Sequence, residues 1–110
     1  MPSVNTQPTP AFLINATART VERITIETTA DIYKFIGNGC DMFERIALDR
    51  HGNGLWVDEE GRMKPNKYVT ILTDFGPVEV AGNAVVLGSR SGAMKDPSIS
   101  QVKLTTMVVR

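Results

Sequence analysis

Few side chains in this 110-residue chain could do chemistry, and they are scattered. His51 is the only histidine and Cys40 the only cysteine. An imidazole titrates near neutral pH and can move protons; a thiol becomes a nucleophile once it is deprotonated. His51, however, lies in the run Arg50-His51-Gly52-Asn53-Gly54, whose composition is that of an exposed turn. Cys40 opens a stretch read as a strand, where a buried, inert thiol is the expectation. Nothing in the spacing brings the two together. One Cys and one His cannot build a soft-ligand metal site, and no carboxylates recur at the spacing of a calcium loop. The segments Gly37-Asn38-Gly39 and Gly52-Asn53-Gly54 lack both the strand–glycine–helix order and the following Lys-Ser or Lys-Thr of a phosphate cradle. The chain is therefore read as a binder rather than an enzyme, with no catalytic residue, cofactor or metal assigned.

Two sets of residues are candidates for binding. The first is the acidic triplet Asp58, Glu59 and Glu60 together with Trp56. Neighbouring carboxylates on a turn do not flank a substrate as a glycosidase pair must, but they can form an acidic docking surface, and Trp is enriched among interface anchors. The alternative set is Arg50, Arg62, Lys64, Lys67, Arg90 and Lys95, around Trp56. Those cations could contact phosphates while the indole stacks on a base, which requires all six to converge on one face. The loop Arg90–Asp96 and the alternating edge Lys103–Val109 are further surfaces for a partner, the latter by extending a sheet across a dimer.

The elements that must position these residues read as follows. Met1–Pro10 carries Pro2, Pro8 and Pro10 and is expected to be a flexible leader, leaving residues 11–110 as one α+β domain. Phe12-Leu13-Ile14 begins a strand, and the β-branched, alternating Thr20–Ile26 pairs with it as a hairpin. Thr28 caps a short helix whose stripe is Ile32, Phe35 and Ile36, with Asp31 in the capping-box position and Gly37 or Gly39 as terminator. Cys40–Leu48 is apolar on both faces and is expected in the centre of the sheet. Leu55–Val57, Asn66–Thr73, Val78–Val80, Ala84–Ser89 and Val102–Val109 complete the strands, with a Gly/Ser/Pro-rich loop at Gly88–Ser98. The expectation is a mainly antiparallel sheet, flat or partly curled, with one helix on one face.

Composition sets limits. Apolar residues make up 42% and charged residues 22%, as in an ordinary globular domain. The apolar runs are too short to span a bilayer, and the N-terminus has no basic, apolar signal pattern, so a cytoplasmic location is expected. Twelve basic and twelve acidic side chains balance overall, which argues against tight nonspecific DNA binding. Residues 1–60 nevertheless hold nine acidic against five basic groups, and residues 61–110 hold three against seven.

One resemblance rests on particular residues. From Phe12 to Gly88 come the opening hairpin, Ile32-Tyr33-Lys34-Phe35-Ile36-Gly37, Leu55-Trp56-Val57-Asp58-Glu59-Glu60-Gly61-Arg62-Met63, then Pro65-Asn66 and Val85-Val86-Leu87-Gly88. This pattern resembles an uncharacterised family of small proteins encoded by phages, plasmids and integrated elements. It departs from that family in having Asp58 where Asn is usual, and in lacking a longer Gly-Leu-Pro-Pro run before Asn66. What the resemblance implies is context: a mobile-element origin and a bacterial cytoplasm, in company with small accessory proteins that bind a host enzyme, a defence complex or a nucleic acid. The leading expectation is an accessory or inhibitory protein that binds a host or phage protein, with a homodimer as a further form, and a small nucleic-acid-binding module is the alternative.

Overall fold

The computed structural model describes residues 8–90 and 93–109, apart from the side chains of Arg90 and Ala93. The leader expected at residues 1–10 falls largely outside them. Its last two residues do not belong to it, because β1 (Thr9–Asn15) already begins at Thr9 and pairs antiparallel with β2 (Thr20–Ile26) from there. Asn15 closes the hairpin, its side-chain oxygen accepting the N–H groups of Thr17 and Ala18 at 3.0 Å each.

The main sheet adds β3 (Phe43–Ala47), β4 (Gly54–Asp58), β7 (Ala84–Arg90) and the short β8 (Ala93–Lys95), in the order β2-β1-β7-β4-β3 with β8 paired to β7. A separate two-stranded ribbon is formed by β5 (Tyr68–Thr73) and β6 (Gly76–Ala81). The protein is thus an α+β fold with a larger antiparallel sheet, a separate two-stranded ribbon and two short helices packed against the sheet, one helix more than the sequence suggests.

Period-two alternation divides the sheet into two apolar faces. On one face Ala11, Leu13, Ile26, Trp56, Val85 and Leu87 meet Ile32 and Ile36 of helix α1 (Thr29–Ile36). On the other, Ile14, Leu55, Val57 and Val86 meet Val69, Ile71 and Val80 of the ribbon and Leu104 and Met107 of helix α2 (Gln101–Met107). Strand β4 is buried along its whole length because both layers cover it. Asp31 anchors the start of α1, its carboxylate accepting the N–H groups of Glu27 at 2.8 Å and Thr28 at 3.2 Å.

Two expectations are corrected here. The C-terminal segment is a helix, not a strand. Ser100 caps it by accepting the Lys103 N–H at 3.1 Å, and Leu104 and Met107 are buried while Val102 is exposed. The period is therefore that of a helix, and only Val108 bridges to Ile71. Lys103–Val109 is accordingly no free strand edge. The second correction concerns Cys40–Leu48. Its strand is confined to Phe43–Ala47 and ends the sheet order, so the central places belong to β7 and β4.

Candidate functional site

The candidate residues are held by two corners at opposite ends of β3 and β4. At one end the chain turns through Asp58–Gly61 into a 3-10 turn at Gly61–Met63. Asp58 does not belong to an exposed patch: its side chain is only 3% exposed and pairs with Lys64 at 2.8 Å. Its other oxygen accepts the Glu60 N–H at 2.9 Å. The Lys64 ammonium also donates to the carbonyls of Asn38 at 3.2 Å and Gly39 at 3.0 Å. The hydrogen bond to Asp58 pushes the Lys64 pKa up, against a smaller opposing effect of burial. Asn66 ties the same corner together, accepting from the Asn38 amide at 2.8 Å and donating to the Gly61 carbonyl at 2.8 Å. Gly61 is required by close approach, since a Cβ there would lie 2.6 Å from the Ala81 carbonyl. The Glu-Glu-Gly and Pro-Asn segments that stood out in the sequence thus have a structural task in common. Cys40 lies near this corner, and burial, followed by the Asp58 charge, pushes its thiol pKa up, away from a reactive thiolate.

The opposite end is the loop between β3 and β4. Asp49 accepts the N–H groups of His51 and Asn53 at 2.9 and 3.1 Å and the Asn53 amide at 2.7 Å, while Asn53 clasps Ser98 through its N–H and hydroxyl at 3.0 Å each. His51 is exposed. The five residues of β3 separate it from Cys40, so the two share no site. Among the described residues, no three His, Cys, Asp or Glu side chains gather as metal ligands.

Trp56 is also misplaced as an exposed anchor. It is 7% exposed, packed in the α1 layer, and covered from outside by the Arg45 guanidinium 5.4 Å from its ring centre. Arg45 folds back across Gly54, where a Cβ would lie 2.5 Å from its Nε, and reaches the Gly52 carbonyl at 3.1 Å. Of the acidic set, Glu59 and Glu60 alone are exposed.

The six cations of the alternative set do not converge. Arg62 and Lys64 are at the Asp58 end, and Lys67 follows Asn66 there. Arg50 is at the other end, its guanidinium over Phe75 at 5.0 Å, and Lys95 pairs with Gly88 beyond the Gly54 end of the sheet. The side chain of Arg90 lies outside the described residues. Arg62 is further engaged by Glu79 and by the Tyr68 ring.

Sequence reasoning missed the sheet edges. Antiparallel pairing directs alternate backbone groups toward and away from the neighbouring strand. Bonds from Glu59 N–H to Met42 O at 2.9 Å and from Leu48 N–H to Asn53 O at 3.0 Å fix the phase in β3. Glu44 and Ile46 bond inward, and the N–H and C=O groups of Phe43, Arg45 and Ala47 face outward. No donor or acceptor among the described residues meets them. The outer edges of β2, β6 and β5 are each engaged at an outward carbonyl. Gln101 of α2 donates to the outward carbonyl of Val21 on β2 at 2.8 Å. Arg62 donates to the Glu79 carbonyl on β6 at 2.7 Å, beside Pro77, which has no N–H. Val109 donates to Thr70 of β5 at 2.9 Å.

Beside the open edge, between β3 and β6, runs a groove of about 240 Å³. Ile46, Val57 and Val78 floor it, Glu44, Glu59 and Glu79 rim it, and Met63 stands 84% exposed at its mouth. Two other clefts are more polar. One, at the C-terminal end of α1, is lined by Asn38, Asn66 and Asn83, whose amides already bond to protein; the other adjoins His51 and Asp49.

Comparisons with protein-family models, with curated proteins and with solved structures find no match for this chain.

Proposed function

We propose that this protein works by binding another protein, and that it does so by accepting an extended segment of that partner along β3. The observation that carries this reading is the contrast among edges: β2, β6 and β5 each have an outward carbonyl engaged, by Gln101, Arg62 and Val109, whereas no donor or acceptor among the described residues meets the outward groups of Phe43, Arg45 and Ala47. Native sheets cover, charge or interrupt their edges to avoid pairing with other chains. An uncovered edge beside an apolar groove is the arrangement that strand-addition domains use, with main-chain bonds for affinity and side-chain pockets for specificity. The likeness to small mobile-element proteins gives this reading its setting, an accessory or inhibitory protein of the bacterial cytoplasm. Glu59 and Glu60 remain the acidic part of the surface, without Asp58 and Trp56.

The experiment uses a tagged protein to capture partners from nuclease-treated bacterial lysate, in parallel with Ala47→Pro and with Glu59→Lys/Glu60→Lys. Proline at position 47 removes an outward N–H and none of the bonds to β4. The reading expects one stoichiometric protein that Ala47→Pro loses while keeping its thermal midpoint. Retention of that partner by Ala47→Pro contradicts strand addition. Recovery of nucleic acid alone, from lysate without nuclease, contradicts the protein-directed reading.

A further inference from the structure

Resting on that reading, we infer that the open edge selects one kind of segment: an extended strand of a partner in which Lys or Arg alternates with apolar residues. A strand added to β3 must send its side chains alternately to the two faces of the sheet. On the ribbon side they enter the groove, where Ile46 and Val78 meet the stem of a long side chain and Glu44, Glu59 and Glu79 surround its tip. Among the described residues Arg62 is the one cation lining this groove, and it is directed at Glu79, 3.4 Å away. Glu44 and Glu59 have no cation within ion-pair distance among the described residues. A lysine or arginine suits this geometry, burying its methylenes while its charge reaches the rim. On the other face the added side chains lie beside Phe43, whose ring packs at a tilt against Tyr33 with centroids 4.8 Å apart, so apolar residues fit there.

A second copy of this chain is a poorer occupant. In an antiparallel self-pairing that uses all of β3, Arg45 faces its own equivalent; centring the pairing on Glu44 opposes two glutamates. Like charges directly opposite are destabilising. Centring it on Ile46 avoids both conflicts but moves Phe43 out of the pairing, opposite Asp49 in the loop.

The test titrates the isotopically labelled full chain with a short synthetic peptide of alternating Lys and Val, and with the same peptide carrying Glu for Lys. Amide shifts are followed by NMR. The inference expects the basic peptide to perturb the Phe43, Arg45 and Ala47 amides and to bind about tenfold more tightly than the acidic one at low salt. Glu44→Lys with Glu59→Lys should reverse the preference, and Ala47→Pro should abolish both. Equal binding of the two peptides at these amides overturns the charge selection and leaves strand addition standing. Basic-peptide shifts confined to residues away from β3 overturn both. Absence of binding by either peptide overturns the present inference, while the capture experiment decides strand addition separately. A dimer in sedimentation that Ala47→Pro makes monomeric overturns it in favour of a second copy.

Discussion

Strands β2 and β3 end the same sheet and are treated in opposite ways. Along β2, Gln101 reaches from α2 to the Val21 carbonyl and holds the Arg23 guanidinium at 3.0 Å through its other end. The ribbon edge has its own guard in Arg62 and Pro77. Along β3 the only long polar side chain facing the α1 layer, Arg45, turns inward over Trp56 and leaves the backbone beside it uncovered. A guanidinium guards the ribbon edge in Arg62, whereas at β3 the guanidinium of Arg45 seals a buried indole. An edge is protected by particular distant side chains, so an unprotected one is a property of the whole fold.

The largest effect is expected where the open edge is anchored. Asp58→Ala removes a buried carboxylate that holds Lys64 and the Glu60 N–H. The variant should lose about 2–3 kcal/mol, read as a lower urea midpoint at constant m-value. Fold loss without groove-specific changes would show that the corner serves the molecule generally. Gln101→Ala comes next, because it frees the Val21 carbonyl and Arg23 on β2. It should cost about 1 kcal/mol and introduce concentration-dependent self-association, visible in sedimentation and absent from the parent chain. Arg62→Ala follows. It releases Glu79 from a solvent-exposed ion pair and frees the Glu79 carbonyl, so the stability cost should be about 1 kcal/mol or less. The alternating Lys/Val peptide should bind about two- to threefold more tightly.

The smallest effect is in the acid limb. Backbone N–H bonds from Glu27, then Thr28, hold the Asp31 pKa below its ordinary 3.8. Its stabilising contribution is complete above 3.8 and disappears as the pH falls through the lower folded value. The stability gap between the parent and Asp31→Asn should therefore narrow as the pH is taken from 5 toward 2.

What was legible in the sequence was local. Thr20–Ile26 and Thr28–Gly37 were readable because alternation, a capping threonine and a terminating glycine act within a few residues. Residues 101–107 were misread because Val102, Leu104 and Val108 satisfy period two, although Leu104, Met107 and Val108 also satisfy the helical spacing. Ser100 and the Val109–Thr70 bond decide the matter, and the second is tertiary. The acidic turn was visible as composition, but no local signal separates Asp58, which faces Lys64, from exposed Glu59 and Glu60. The edge guards were not readable at all. Gln101 lies 80 residues from Val21 and Arg62 lies 17 from Glu79, so their pairing exists only after the layers have packed.

Amide hydrogen exchange of the free protein, and of its complex with the captured partner, shows whether β3 is an open edge that receives a strand. In the free protein the Phe43, Arg45 and Ala47 amides should exchange fast at every protein concentration, while Glu44 and Ile46 exchange slowly. In the complex all five should be protected. Slow exchange at Phe43, Arg45 and Ala47 in the free chain, or fast exchange there in the complex, would contradict the account.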